Sequence, residues 1–128
     1  MDIAVSQIND SDLTEYGLEV VQLLRDQKYS AISEKFSYAL AFGKNPSDVI
    51  KEEINSCLSQ AGEGTKLNKT ANPRVVVKYF KPNDTNLVAV VECYVLIDDG
   101  NGEVLAELIV TGSGEENDIT LEQISYSA

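Results

Sequence analysis

Residues 87–112 read LVAVVECYVLIDDGNGEVLAELIVTG. Two apolar runs of alternating character flank Asp99-Gly100-Asn101-Gly102, a strong signal for a tight hairpin turn. Side chains alternate between the two sides of a strand, so each run divides into two faces. The first face carries Leu87, Ala89, Val91, Cys93, Val95 and Ile97, and then Val104, Ala106, Leu108 and Val110. It is almost purely apolar and must be covered by other parts of the chain. The second face carries Val88, Val90, Glu92, Tyr94 and Leu96, with Leu105, Glu107, Ile109 and Thr111. A symmetric register pairs Val95 with Ala106, Cys93 with Leu108, and Tyr94 with Glu107.

Working outward, alternation also predicts strands over residues 74–80 and 119–126. Pro82 and Asn83 mark a turn after the first of these. That strand adds Val75, Val77 and Tyr79 to the apolar face, and Arg74, Val76, Lys78 and Phe80 to the mixed one, with Arg74 opposite Glu92. The apolar phase of residues 119–126 slips between Leu121 and Ile124, which predicts a bulge near Glu122 and Gln123.

Before residue 62 the apolar spacing is helical. A helix is predicted over 13–27, capped by Asp12 with Glu15 reaching back, and burying Leu13, Tyr16, Val20, Leu23 and Leu24. A second is predicted over 31–42, burying Ile32, Phe36, Ala39 and Leu40 and stopping at Gly43. A third starts from Asn45 and Pro46 and runs to about residue 61, burying Ile50, Ile54, Cys57, Leu58 and Ala61. Residues 62–73 read as a loop with room for one short strand. The expected fold is therefore α+β. Residues 1–128 form one domain, with three N-terminal helices packed on one face of a curved C-terminal antiparallel sheet of about four strands.

The formal charge is −11, with 21 acidic against 10 basic side chains. Phosphate backbones and anionic membrane surfaces repel such a protein, so neither direct nucleic-acid binding nor membrane binding is expected. A basic protein is the partner this charge favours. No apolar run approaches the ~20 residues of a membrane span. Residues 1–10 lack the basic and apolar regions of a signal peptide. Cys57 and Cys93 suit a reducing compartment, and a cytoplasmic location is expected. The sequons at Asn9, Asn68 and Asn83 then read as chance matches.

Catalytic signatures are sparse. The chain has no histidine, which removes every mechanism that needs one. No glycine loop followed by Lys-Ser or Lys-Thr is present. Two distant cysteines do not make a zinc site, and Asp98 to Glu103 lack the full calcium loop. Neither metal nor cofactor is expected.

The element order resembles the nuclear-transport-factor-2-like (cystatin-like) superfamily. The resemblance rests on Leu24-Arg25-Asp26-Gln27-Lys28-Tyr29, similar to that family's first-helix ending, and on the long strand 88–97 with its hairpin to 103–111. The chain departs from many members in lacking a clear hairpin between the second and third helices. The superfamily includes isomerases, dehydratases, polyketide cyclases, transport factors and immunity proteins that neutralise toxins. The resemblance thus implies one of two things. The first is a protein-binding module, in its sharpest form an immunity protein that covers a basic toxin. The second is a small-molecule-binding protein or isomerase-like enzyme, with a cavity near Tyr16, Tyr38 and Tyr79. For the first, the contact residues are Arg74, Glu92, Tyr94, Glu107 and Ile109 on the mixed face, which also suits a two-fold homodimer. The acidic residues Asp98, Asp99, Glu103, Glu115, Glu116 and Asp118 would steer the partner.

Overall fold

The structure, a computed structural model, describes residues 1–98 and 102–128. The hairpin turn expected at Asp99, Gly100 and Asn101 lies outside the described residues, as does the Asp99 carboxylate. The fold is α+β. Helices α1 (Asp10–Arg25), α2 (Tyr29–Phe36) and α3 (Pro46–Ala61) precede all but the first strand of an antiparallel sheet. Its strands are β1 (Asp2–Ile3), β2 (Lys66–Leu67), β3 (Arg74–Tyr79), β4 (Leu87–Asp98), β5 (Glu103–Ser113) and β6 (Glu116–Ser127). Six described strands replace the expected four or so. The additions are β1, which pairs Asp2 and Ile3 with Asp118 and Asn117, and β2, which pairs Lys66 and Leu67 with Asp98 and Ile97. Two-residue strands have no periodicity to detect.

β2 and β3 share one edge of β4, separated by the excursion 69–73. Asn68 shapes that excursion, its Oδ1 accepting from the backbone N–H of Thr70 and Ala71. Arg74 and Lys78 point outward along β3. Such cations discourage edge-to-edge pairing with another chain.

The faces divide largely as the alternation predicts. Val91, Cys93, Val95, Ala106 and Leu108 are all fully buried. They pack with Val20, Leu24, Ile32, Phe36, Ile50 and Ile54 of the helices in one core. Gly17 is what lets α1 come so close. A Cβ there would stand 2.9 Å from Cys93 Sγ and 3.1 Å from a Val91 methyl.

The register is two residues away from the symmetric one. Val95 pairs with Val104, Cys93 with Ala106, Glu92 with Glu107 and Tyr94 with Leu105, while Arg74 pairs with Tyr94. A two-residue slip returns every side chain to the same face, so the apolar pattern is blind to it. A bulge at Val88 aligns Leu87 with Thr111 and ends the alternation there, and Val88 packs partly on the core. The bulge expected in β6 sits at Glu122: Leu121 pairs with Leu108 and Gln123 with Glu107.

The helix ends differ for local reasons. Asn9, not Asp12, caps α1, its side chain accepting from Asp12 N–H at 2.8 Å. Both residues have the right spacing, and the earlier one wins. The helix stops at Arg25 because Gln27 turns left-handed at φ 57°. Its N–H and that of Lys28 close back on Leu24 and Leu23, the Schellman pattern without glycine. α2 ends at Phe36, six residues early, because Ser37 takes φ 62°. That break leaves Ala39 exposed. It also turns Tyr38 inward, where its hydroxyl accepts from Ile124 N–H. α3 begins as expected, with Asn45 Oδ1 accepting from Asp48 N–H at 3.2 Å.

Candidate functional site

Among the described residues, the helices pack on the inner face and leave the outer face uncovered. Three cross-strand rows build that face. Lys78, Val90, Ile109 and Thr120 form one. Val76, Glu92, Glu107 and Gln123 form the next, with Glu122 bulged beside it. Arg74, Tyr94, Leu105 and Ser125 form the third. The middle row, with Glu122 beside it, sets three carboxylates on adjacent strands between two mixed rows, one carrying Val90 and Ile109 with Lys78, the other Tyr94 and Leu105 with Arg74.

The charges on this face are only partly matched. Lys78 Nζ lies 2.9 Å from Glu92. Arg74 stacks its guanidinium 3.8 Å above the Tyr94 ring and reaches Glu103 at 3.3 Å. The expected Arg74–Glu92 pair is therefore replaced by Lys78–Glu92 and Arg74–Glu103, as the shifted register requires. Burial, then the charges of Glu92 and Glu122, push the Glu107 carboxyl above its usual range, while Lys78 pulls against them. Among the described residues Glu107 makes no ion pair, in a half-buried setting. Leu96 and Phe80 add exposed apolar surface at the margins.

The acidic residues at the strand ends do not join this row. Asp98 and Glu103 lie where β4 ends and β5 begins, and Glu115, Glu116 and Asp118 lie at the other end of β5. An 11-residue strand separates them by about 35 Å. Asp98 accepts from Asn68 Nδ2 at 2.7 Å. Burial would raise the Asp118 carboxyl. Hydrogen bonds from the Met1 ammonium (2.8 Å) and the Thr120 hydroxyl outweigh it and hold Asp118 below its usual range. Asp118, Glu115 and Glu116 line an open cleft of about 640 Å³ with Asp2. Among the described residues, no group of three or more acidic or cysteine side chains is placed to hold a metal ion.

The three tyrosines considered for an internal cavity do not converge. Tyr16 accepts from Gln7 Nε2 at 3.0 Å and meets Phe36 edge to face. Tyr38 is buried on the Ile124 backbone, and burial with Glu53 pushes its hydroxyl up to about 12. Tyr79 is half exposed and donates to Asp10 at 2.6 Å, which pushes it up to about 12.

Charge is also segregated along the chain. Lys66, Lys69, Arg74, Lys78 and Lys81 occupy residues 66–81 without an acidic residue, and after Lys81 come ten carboxylates and no cation. The sign therefore changes across the sheet, from the β2–β3 edge to β5 and β6. No family model matches the chain, and neither a curated protein nor a solved structure matches it.

Proposed function

We propose that this chain is a binding protein whose outer sheet face docks a basic protein, in the manner of a cytoplasmic immunity protein that covers a toxin's active surface. The supporting observation is the Glu92–Glu107 row, with Glu122 beside it, flanked by Val90 and Ile109 on one side and by Tyr94 and Leu105 on the other, on a face that no described helix covers. Such a surface supplies a central aromatic and aliphatic contact with carboxylates waiting for a partner's lysine or arginine. Tyr94 is the anchor, held flat by the Arg74 guanidinium. The carboxylates at the strand ends steer the approach. Each contributes about 1 kcal/mol or less to affinity, but together they raise the association rate at low salt.

The resemblance to the nuclear-transport-factor-2-like superfamily fits this reading, because that superfamily includes toxin-neutralising members. A fold alone cannot choose among its functions, so the face carries the proposal. The test begins with the neighbouring gene. A secreted protein ending in a basic toxin domain should be encoded there, and that domain should co-purify with this chain. A two-fold homodimer through the same face, with no heterologous partner, would replace the proposal.

A further inference from the structure

Where α1 ends, a cleft of about 110 Å³ lies between that helix end, α3 and β2. Arg25, Tyr29, Lys66 and Lys69 line it, with Leu58 and Leu67 among its apolar walls. Its lining holds three cations and no carboxylate, in a chain whose acidic side chains outnumber its basic ones by about two to one. Lys66 and Lys69 are exposed at the rim, and no ion pair engages either among the described residues.

Arg25 is the unusual member. It is 8% exposed, whereas arginine is almost never this buried without a partner. One terminal nitrogen donates to the Ala71 carbonyl, which ties the excursion 69–73 to the end of α1. Its Nε is buried and donates to no acceptor among the described residues. A buried donor left without a partner costs about 1–3 kcal/mol, more for a charged group. The backbone carbonyls nearest in sequence are already used. Gln22, Leu23 and Leu24 accept from Asp26, Lys28 and Gln27. Asp26 accepts from Gln22 Nε2, and Asp98, the cross-strand neighbour of Lys66, accepts from Asn68. Burial raises the Tyr29 hydroxyl above its ordinary value, so it stays protonated and able to donate.

We propose that this cleft is a binding site for a small oxyanion of phosphate type, held by the guanidinium of Arg25, which lines it, and by Lys66 and Lys69 at its rim. A cleft of this size has room for one small oxyanion. One terminal nitrogen of Arg25 is committed to Ala71, so the two-pronged fork that suits a planar carboxylate is partly spent. What remains is the rest of the guanidinium and two exposed ammonium groups, an excess of positive charge that suits a compact, multiply charged tetrahedral group. The site is separate from the outer sheet face and stands whether or not that face binds a protein.

The Arg25 Nε–H can be followed directly by nuclear magnetic resonance on the whole chain. Inorganic phosphate is the probe, titrated at constant ionic strength against chloride, with acetate as a parallel arm. The Arg25 Nε–H signal should shift and saturate with phosphate, and acetate should bind roughly tenfold more weakly, the scale of one lost charge-assisted hydrogen bond. The double variant Lys66→Ala/Lys69→Ala keeps the buried core, and its phosphate response should weaken by roughly tenfold or more. Three results would each overturn the site: a response equal in chloride, a response that never saturates, or one unchanged in the double variant. Equal binding of acetate would overturn the choice of a tetrahedral ligand.

Discussion

Glu92 and Glu107 are direct cross-strand partners on the uncovered face of the sheet. Like charges placed opposite each other destabilise a strand pair, and Lys78 pairs directly with Glu92 at 2.9 Å while acting on Glu107 only from farther away. A fold that retains this arrangement holds a weakness at its surface, one that a cation from outside would relieve.

That weakness has a pH signature. The Glu107 carboxyl is raised by burial and by Glu92 and Glu122, above an unfolded value of about 4.3. The folded state therefore keeps a proton that the unfolded state has lost. Stability is greatest below the unfolded value and falls as pH rises to the folded one. Glu107→Gln removes this loss. Its melting temperature should match the parent's near pH 4 and exceed it at pH 7, as thermal denaturation across that range will show. A variant less stable than the parent at pH 7 would contradict the account of the row.

Tyr94 is half-buried under Arg74 and belongs to no core cluster. Tyr94→Ala should leave the chain folded, with a stability change of about 1 kcal/mol. Its affinity for the proposed basic partner should drop by about 2 kcal/mol or more, the scale of an interface anchor. Urea denaturation beside calorimetric titration separates the two effects.

Gly17 packs against Cys93 with no room for a methyl group. Alanine would gain about 1 kcal/mol in helix propensity but must displace a buried sulfur and two valine methyls, at about 1–3 kcal/mol. Gly17→Ala should be destabilising on balance. In the Cys93→Ala background the same change should cost less, because the space is then open. Urea midpoints of the four proteins test this coupling.

Cys93 is fully buried, and burial pushes its thiol up to about 12. Cys93→Asp would place a carboxylate there without a partner. Loss of more than about 4 kcal/mol is expected, read as failure to show a cooperative melt at neutral pH.

Much of this architecture was legible in the residues. The face bearing Val91, Cys93, Val95, Ala106 and Leu108 follows from period-two alternation, and α3 from Asn45-Pro46. The bulge at Glu122 follows from the slip between Leu121 and Ile124. Other features were not legible for definable reasons. Register was missed because a two-residue shift preserves both faces, and with it went the pairing of Glu92 with Glu107. The end of α2 depends on Ser37 adopting a left-handed conformation so that Tyr38 can reach β6, a tertiary demand with no local sign. The Arg25 cleft joins residues some forty positions apart. Its only trace in the sequence is the run of lysines and Arg74 over 66–81 without a carboxylate.

The most direct test of the outer-face reading is the dissociation constant for the basic toxin domain that the proposal places beside this chain's gene, measured against ionic strength. The parent, the face variant Glu92→Gln/Tyr94→Ala/Glu107→Gln and the end variant Glu115→Lys/Glu116→Lys should be compared. The face variant should lose at least roughly a hundredfold in affinity, as loss of a central anchor implies. The end variant should lose mainly association rate at low salt. Affinity of the parent that ignores salt, or a face variant that binds as the parent does, would contradict the outer sheet face as the binding surface.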